Sequence, residues 1–380
     1  MEIESDMESK HDEQRGYVLD GTKIAWHKER VGAWLRGERI APITIDMALS
    51  RSCNYHCSFC YGQLQENPRK KITKDIAFRF LDDAAEIGVK GVSLVSDGES
   101  SVSPIYPDFI VKGSQNGLSM AMASNGYLTT RKELEQILPH LTYFRFNISA
   151  GEPKRYSEIM GVSESYFYSV CQNIRDAMEI KWKNNLDVTI GLQMVLMPEF
   201  GDQIMPLARL GLELKPDYLV IKHTSDDEKN TLGVDYSGYR NLYDKLKEAE
   251  RLSTDDYLVK VKWSKIQDEG KRRYIQCFGP PFLIQLSGSG LVAPCGMLFG
   301  DAYKKYWIGN IVETPFREIW ESDRYWEVME EIASSRFDAR TMCGCLCVQH
   351  KVNEFLWDLR NGKIILKEVA GTPPMHINFI

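Results

Sequence analysis

The chain has 380 residues, 43% of them hydrophobic and 26% charged, and a formal net charge of −6. These are globular values, with room for one large domain and a smaller one or for two ordinary domains. A net acidic chain lacks the basic footprint that a nucleic-acid partner needs. No apolar run approaches the roughly 18 residues of a membrane span, and the N-terminal residues lack the apolar core of a secretory signal, so the expected location is cytoplasmic.

In chain order, residues 1–15 are charged and polar and read as a disordered tail. A helical segment is expected around 25–35. From Pro42 onward strand and helix signals alternate. Strands are expected at 43–48, 91–95, 119–123, 143–149, 188–195 and 218–222. Helices are expected at 73–87, 107–115, 132–138, 164–181, 202–210 and 239–252. Repeated βα units predict a parallel sheet with right-handed crossovers and outer helices. Six units rather than eight predict an α/β fold that is a partial (β/α)6 TIM-like barrel, with function at the C-terminal ends of its strands.

Beyond it, 257–263 reads as one further strand at a seam. Residues 282–293 read as a hairpin turning at Ser287-Gly288-Ser289-Gly290. Helices follow at 315–332 and 353–359. The resulting domains are the tail 1–15, the barrel 16–256, a small α+β unit 257–350, and a C-terminal helix and tail 351–380. The small unit is too polar to build much core alone and is expected to need a metal staple.

Eight of the nine cysteines cluster in the sequence, and in a chain of this length without a signal that pattern means metal or redox chemistry rather than disulfides. Cys171, alone in a helical pattern, reads as a small buried apolar residue. Cys53, Cys57 and Cys60 form a C-x3-C-x2-C run directly after the first strand. Three thiolates are the wrong number for a closed zinc tetrahedron and leave one iron of a four-iron cluster open. A zinc knuckle completed by His56 or a distant cysteine is the bland alternative.

The run, with Phe59 just before its last cysteine, resembles the signature of the radical S-adenosylmethionine (SAM) superfamily. The resemblance implies a [4Fe-4S] cluster on Cys53, Cys57 and Cys60. Its open iron would chelate SAM, and its electron would cleave the sulfonium to a 5′-deoxyadenosyl radical. It also implies SAM contacts at the strand ends. Gly98 and Glu99 match part of a Gly-Gly-Glu-Pro-like element that meets the SAM amino group, while Asp97 and Ser100 depart from it. Asn125, Asn147 and Ser149 follow the third and fourth strands, and Gln193 and Val195 lie on a fifth strand resembling the one that packs on adenine. Lys154 and Arg155 are candidates for the SAM carboxylate, without a clean match. Lys222-His223 ends the sixth strand, where a catalytic base would be useful, and His223 is the candidate.

Cys277, Cys295, Cys343, Cys345 and Cys347 around the hairpin resemble the SPASM/twitch extension that holds auxiliary iron–sulfur clusters. Five cysteines support one auxiliary [4Fe-4S] cluster with one spare among Cys343, Cys345 and Cys347; zinc is the alternative here. A spare thiol near the substrate would donate a hydrogen atom in an epimerisation. The expected activity is radical dehydrogenation or epimerisation of a small polar molecule, such as a sugar, aminocyclitol or nucleotide-linked intermediate. The expected partner is a reductant protein such as flavodoxin or ferredoxin. The stretch before the barrel is too short for a leader-binding winged domain, which makes a peptide maturase the second expectation. A non-catalytic zinc or iron–sulfur protein is the third.

Overall fold

The computed structural model describes residues 21–345 and 347–380, so the expected tail at 1–15 lies outside the described residues. Helix α1 (Lys28–Leu35) leads into β1 (Thr44–Met47). Strands β2 (Gly91–Leu94), β3 (Ser119–Ser124), β4 (Tyr143–Asn147), β5 (Thr189–Leu196), β6 (Tyr218–His223) and β7 (Leu258–Val261) then add in parallel, each beside its predecessor. Between them run α2 (Lys74–Ile87), α3 (Tyr106–Gln115), α4 (Arg131–Ile137), α5 (Pro153–Met160), α6 (Glu164–Lys183), α7 (Ile204–Leu214) and α8 (Tyr243–Glu250). Helix α2 shows why these segments fold as they do. The Thr73 side chain caps the Ile76 N–H, Gly88 ends the helix with φ of 96°, and Ala77, Phe80, Leu81 and Ala84 form the buried stripe.

The expected alternation of strand and helix is therefore present, with three differences in detail. The connection after β4 carries α5, which Pro153 starts and Gly161 (φ 65°) ends. The expected helix at 315–332 is two helices, α10 (Phe316–Glu321) and α11 (Asp323–Ile332), because the Ser322 side chain caps the Tyr325 N–H and restarts the turn. The further strand β7 is no seam: it pairs with β6, extending the barrel sheet before the short helix α9 (Trp263–Gln267).

The second unit joins the barrel edge to edge. Strand β8 (Leu283–Leu286) pairs in parallel with β1, with Asp46 opposite Gln285. Strands β9 (Leu291–Ala293) and β10 (Gly309–Asn310) then add antiparallel. Its apolar residues Val292, Met297 and Tyr306 belong to the same continuous core as Ile45 and Phe80. The expectation of a unit lacking its own core is thus met by sharing one rather than by a staple alone. Helix α12 (His350–Arg360) packs beside it.

Side-chain alternation divides each barrel strand between two environments. Ile45, Met47, Phe144, Phe146, Leu219 and Ile221 pack in the core under the helices. Thr44, Asp46, Tyr143, Arg145, Val220 and Lys222 line a cavity of about 150 Å³ in the lumen. Residues 376–380 sit under this lumen at the N-terminal ends of the strands. The Thr44 hydroxyl donates to Asn378 O at 2.7 Å, and the Phe379 ring lies 5.1 Å from that of Tyr143. His376, Phe379 and Ile380 thereby line the lumen at the end opposite the βα loops.

Candidate active site

The cysteine loop leaves β1 at its C-terminal end and is pinned against the end of α5. Ser58 N–H donates to Ile159 O at 3.0 Å and His56 N–H to Met160 O at 3.3 Å. Gly161 permits this approach, since a Cβ there would strike His56 O. Cys53 is exposed, and Cys57 and Cys60 are half-buried. Burial pushes Cys53 up to about 11 and Cys57 well above its ordinary value, and the neighbouring cysteines raise each further. Raised values of this kind mean that a bound cation is what would draw these sulfurs into the thiolate form. A cluster held by these three sulfurs fits that donor set. The Phe59 ring packs edge-on to Phe200 at 6.4 Å, next to the loop after β5.

The loop after β2 presses on the same cysteine loop. Gly98 has φ of 80°, and a Cβ on it would overlap the backbone of Ser50 and Arg51. Gly288 approaches that backbone too, from the turn between β8 and β9. Asp97, where the family element has glycine, ties these parts together. Its carboxylate accepts from Gly288 N–H at 2.8 Å and from Ser287 Oγ at 2.6 Å, and it pairs with Arg51 at 3.3 Å. Glu99 is buried. Its Oε1 accepts from Ser101 N–H, Ser101 Oγ and Ser124 Oγ, and its Oε2 from Asn125 N–H at 2.8 Å. One oxygen is thus saturated, while the other carries a single bond and retains acceptor capacity.

The remaining expected contacts fall into place unevenly. Asn125 donates to Asn54 Oδ1 at 2.8 Å, joining the end of β3 to the cysteine loop. Asn147 Oδ1 accepts from Gln193 Nε2 at 2.9 Å, and Gln193 lines the lumen. Ser149 is fully buried and its hydroxyl accepts the Val195 N–H at 3.2 Å, so this pair locks β4 to β5. Arg155 is engaged at the surface by Asp202 and Glu158, at 2.7 Å each. His223 does not line the lumen; its neighbour Lys222 does. His223 lies buried with Nδ1 2.7 Å from Thr224 O, and burial, with Lys265 adding, drives it well below its ordinary range, so the ring is neutral.

In the second unit Cys277, Cys295, Cys343 and Cys347 line one cavity together with Arg272 and Tyr274. Arg272 donates to Cys343 Sγ at 3.5 Å and Asn353 Nδ2 to Cys277 Sγ at 3.3 Å. Four sulfurs around one cavity, beside a buried cation, fit a four-iron cluster, because the guanidinium offsets the cluster's negative charge. Cys345 does not line the cavity. Its thiol meets the Tyr236 hydroxyl at 2.5 Å, its N–H donates to Asp226 O at 3.0 Å, and Gly344 permits that turn.

The profile of the radical SAM superfamily matches residues 47–210, and that of the SPASM iron–sulfur cluster-binding domain matches residues 277–347. The chain belongs to the radical SAM superfamily and carries a C-terminal SPASM domain. Its cofactors are SAM and a four-iron cluster, with auxiliary iron–sulfur binding in the SPASM domain. An AdoMet-dependent heme synthase of Methanosarcina barkeri is 24% identical, covering 82% of this chain and 90% of that protein. The tungsten-containing aldehyde ferredoxin oxidoreductase cofactor-modifying protein of Pyrococcus furiosus is 21% identical, covering 73% and 81%. The crystal structure of Streptococcus suis SuiB bound to S-adenosylmethionine shares the fold, with a TM-score of 0.61 at 17% identity over 79% of this chain and 71% of that one.

Sequence reasoning missed the charged residues of the lumen, Asp46 and Arg145. The signal was present: strands of a parallel sheet are usually apolar on both faces, and a charge in mid-strand marks an inward position with work to do. Among the described residues, no helix is long and apolar enough to cross a membrane.

Proposed function

We propose that this radical SAM enzyme acts on a small polar organic molecule held in the barrel lumen, by dehydrogenation or epimerisation. The observation that carries the reading is the lumen itself. Phe379 and Ile380 line its base, and its lining reaches Val95 beside the Glu99 loop and Val348 beside Cys347. When bound, the clusters and SAM supply one-electron chemistry and hydrogen-atom abstraction.

The chain's own residues then have these roles. Cys53, Cys57 and Cys60 hold the SAM-binding cluster, and Cys277, Cys295, Cys343 and Cys347 the auxiliary one. Glu99, aligned by its four donors, accepts the SAM ammonium through Oε2. Phe59, Gly98, Asn125, Asn147, Gln193 and Val195 border the SAM position, and Ser149 positions β5. No proton transfer is assigned to His223, because it does not line the lumen. Cys345 beside Tyr236 is the thiol left for hydrogen-atom return in an epimerisation. The reductant is a flavodoxin or ferredoxin reaching the exposed Cys53 side, and the free cysteines fit a reducing, cytoplasmic compartment.

SuiB has been solved with its precursor peptide SuiA, whereas the heme synthase is named for a small molecule; a lumen of about 150 Å³ favours the second kind of substrate. The test is to add fractions of a cell lysate to reduced enzyme with SAM and follow 5′-deoxyadenosine. An ultrafiltrate free of peptides should stimulate its formation in the native protein and not in Val220→Trp, which fills the lumen. Stimulation by the peptide fraction alone would sink the small-molecule reading.

A further inference from the structure

The lumen carries more positive than negative charge. Asp46 enters it from β1, Arg145 from β4, Lys222 from β6, Lys262 from the end of β7 and Lys265 from α9. Lys265 is engaged, donating to Cys347 O at 2.8 Å. Arg145 and Lys222 differ. Among the described residues neither makes a salt bridge, the Arg145 Nε has no hydrogen-bond partner, and its guanidinium lies over the Tyr143 ring at 5.7 Å. Among the described residues Asp46 makes no salt bridge with either, although both act on its carboxyl across the lumen.

Burying like charges side by side is costly unless an opposite charge joins them. We propose that Arg145 and Lys222 form an oxyanion-binding subsite that anchors a carboxylate or phosphate of the substrate inside the lumen. The proposal rests on the lumen being the substrate site and adds the class of group held there. Strand geometry supports it. Arg145 lies two residues before the end of β4 and Lys222 one before the end of β6, with β5 between them carrying Gln193 inward. A planar fork and an ammonium facing one space suit an oxyanion, which Arg binds through paired bonds and Lys as a point charge. With Phe379 and Ile380 lining the base, an anion held there leaves the rest of the substrate toward the loop side. Burial lowers Lys222 to about 7, with Arg145 and Lys265 adding to the effect, and an anion bound beside it would favour the charged ammonium again.

Equilibrium dialysis of the anaerobically reconstituted full chain against labelled inorganic phosphate, and separately against labelled acetate, tests this. The native protein should bind at least one of them saturably, and which one assigns the substrate's group. Arg145→Gln and Lys222→Gln should each weaken that binding about tenfold or more, the usual yield of a charge-assisted contact. Asp46→Asn should tighten it, an effect in the opposite direction that misfolding cannot mimic. Absence of saturable binding by either anion, or binding unaltered in the Arg145 and Lys222 variants, overturns the proposal. Dithionite-driven 5′-deoxyadenosine formation, measured on the same samples, reports on the radical chemistry separately. Its absence beside intact anion binding would count against the enzymatic reading and not against the subsite.

Discussion

The Asp97 carboxylate accepts the Gly288 N–H at 2.8 Å, joining the loop after β2 to the turn of the SPASM hairpin. This bond accounts for the departure of Asp97 from the family's glycine. The side chain spans the gap between the barrel and the auxiliary unit, and Arg51 of the cysteine loop completes its charge balance. Two cofactor sites are thereby held to one backbone, that of Ser50 and Arg51, which Gly98 and Gly288 both contact.

Asp97→Ala should therefore strip a buried hydrogen-bond network and leave Arg51 uncompensated. The expected loss is about 3 kcal/mol of unfolding free energy, read as a lower urea midpoint under anaerobic conditions. A surface change such as Glu248→Ala should fall within about 0.5 kcal/mol of native. Equal midpoints for the two variants would remove Asp97 from its role as a tie.

The auxiliary cysteines should divide four to one. Replacing Cys277, Cys295, Cys343 or Cys347 singly by Ala should cost about four of the roughly eight irons expected for two cubanes. Cys345→Ala should keep the full iron content. If Cys345→Ala loses iron like the others, the thiol bonded to Tyr236 moves to the cluster on metallation and the assignment is wrong.

Glu99→Gln should weaken SAM binding about tenfold or more while leaving iron unchanged, because the amide lowers the charge facing the SAM ammonium. Dialysis with labelled SAM gives both quantities. Unchanged affinity would mean that Glu99 serves only to hold Ser101, Ser124 and Asn125.

Asp46 gives a pH signature. Burial pushes its carboxyl up to about 7, while Arg145 pulls the other way. Between its unfolded and folded values the native state holds a proton that the unfolded chain has released. The contribution of Asp46 to stability therefore falls as pH rises through that window. Asp46→Asn has no such proton to lose, so its urea midpoint relative to native should rise between about pH 4 and 7 and level off above that. A difference independent of pH would show that Asp46 titrates as an ordinary carboxylate.

Much of this was legible in the chain. The C-x3-C-x2-C run, the βα alternation and the position of Glu99 after the second strand all depend on local spacing, which sequence carries directly. The pairing of β8 with β1 was not legible, because two strands over 200 residues apart in a parallel sheet share no local signal. The odd cysteine was also out of reach. Cys343, Cys345 and Cys347 alternate evenly, and only the contact of Cys345 with Tyr236 distinguishes it. His223 was chosen over Lys222 on chemistry alone, whereas strand alternation turns the lysine inward.

The most direct test of the central claim is 5′-deoxyadenosine formation by the anaerobically reconstituted, dithionite-reduced protein with SAM. The account predicts its formation in the native chain and its loss in Cys57→Ala, which removes one of the three thiolates while the SPASM iron remains. Zinc in place of iron at both sites, with no SAM cleavage, would contradict it.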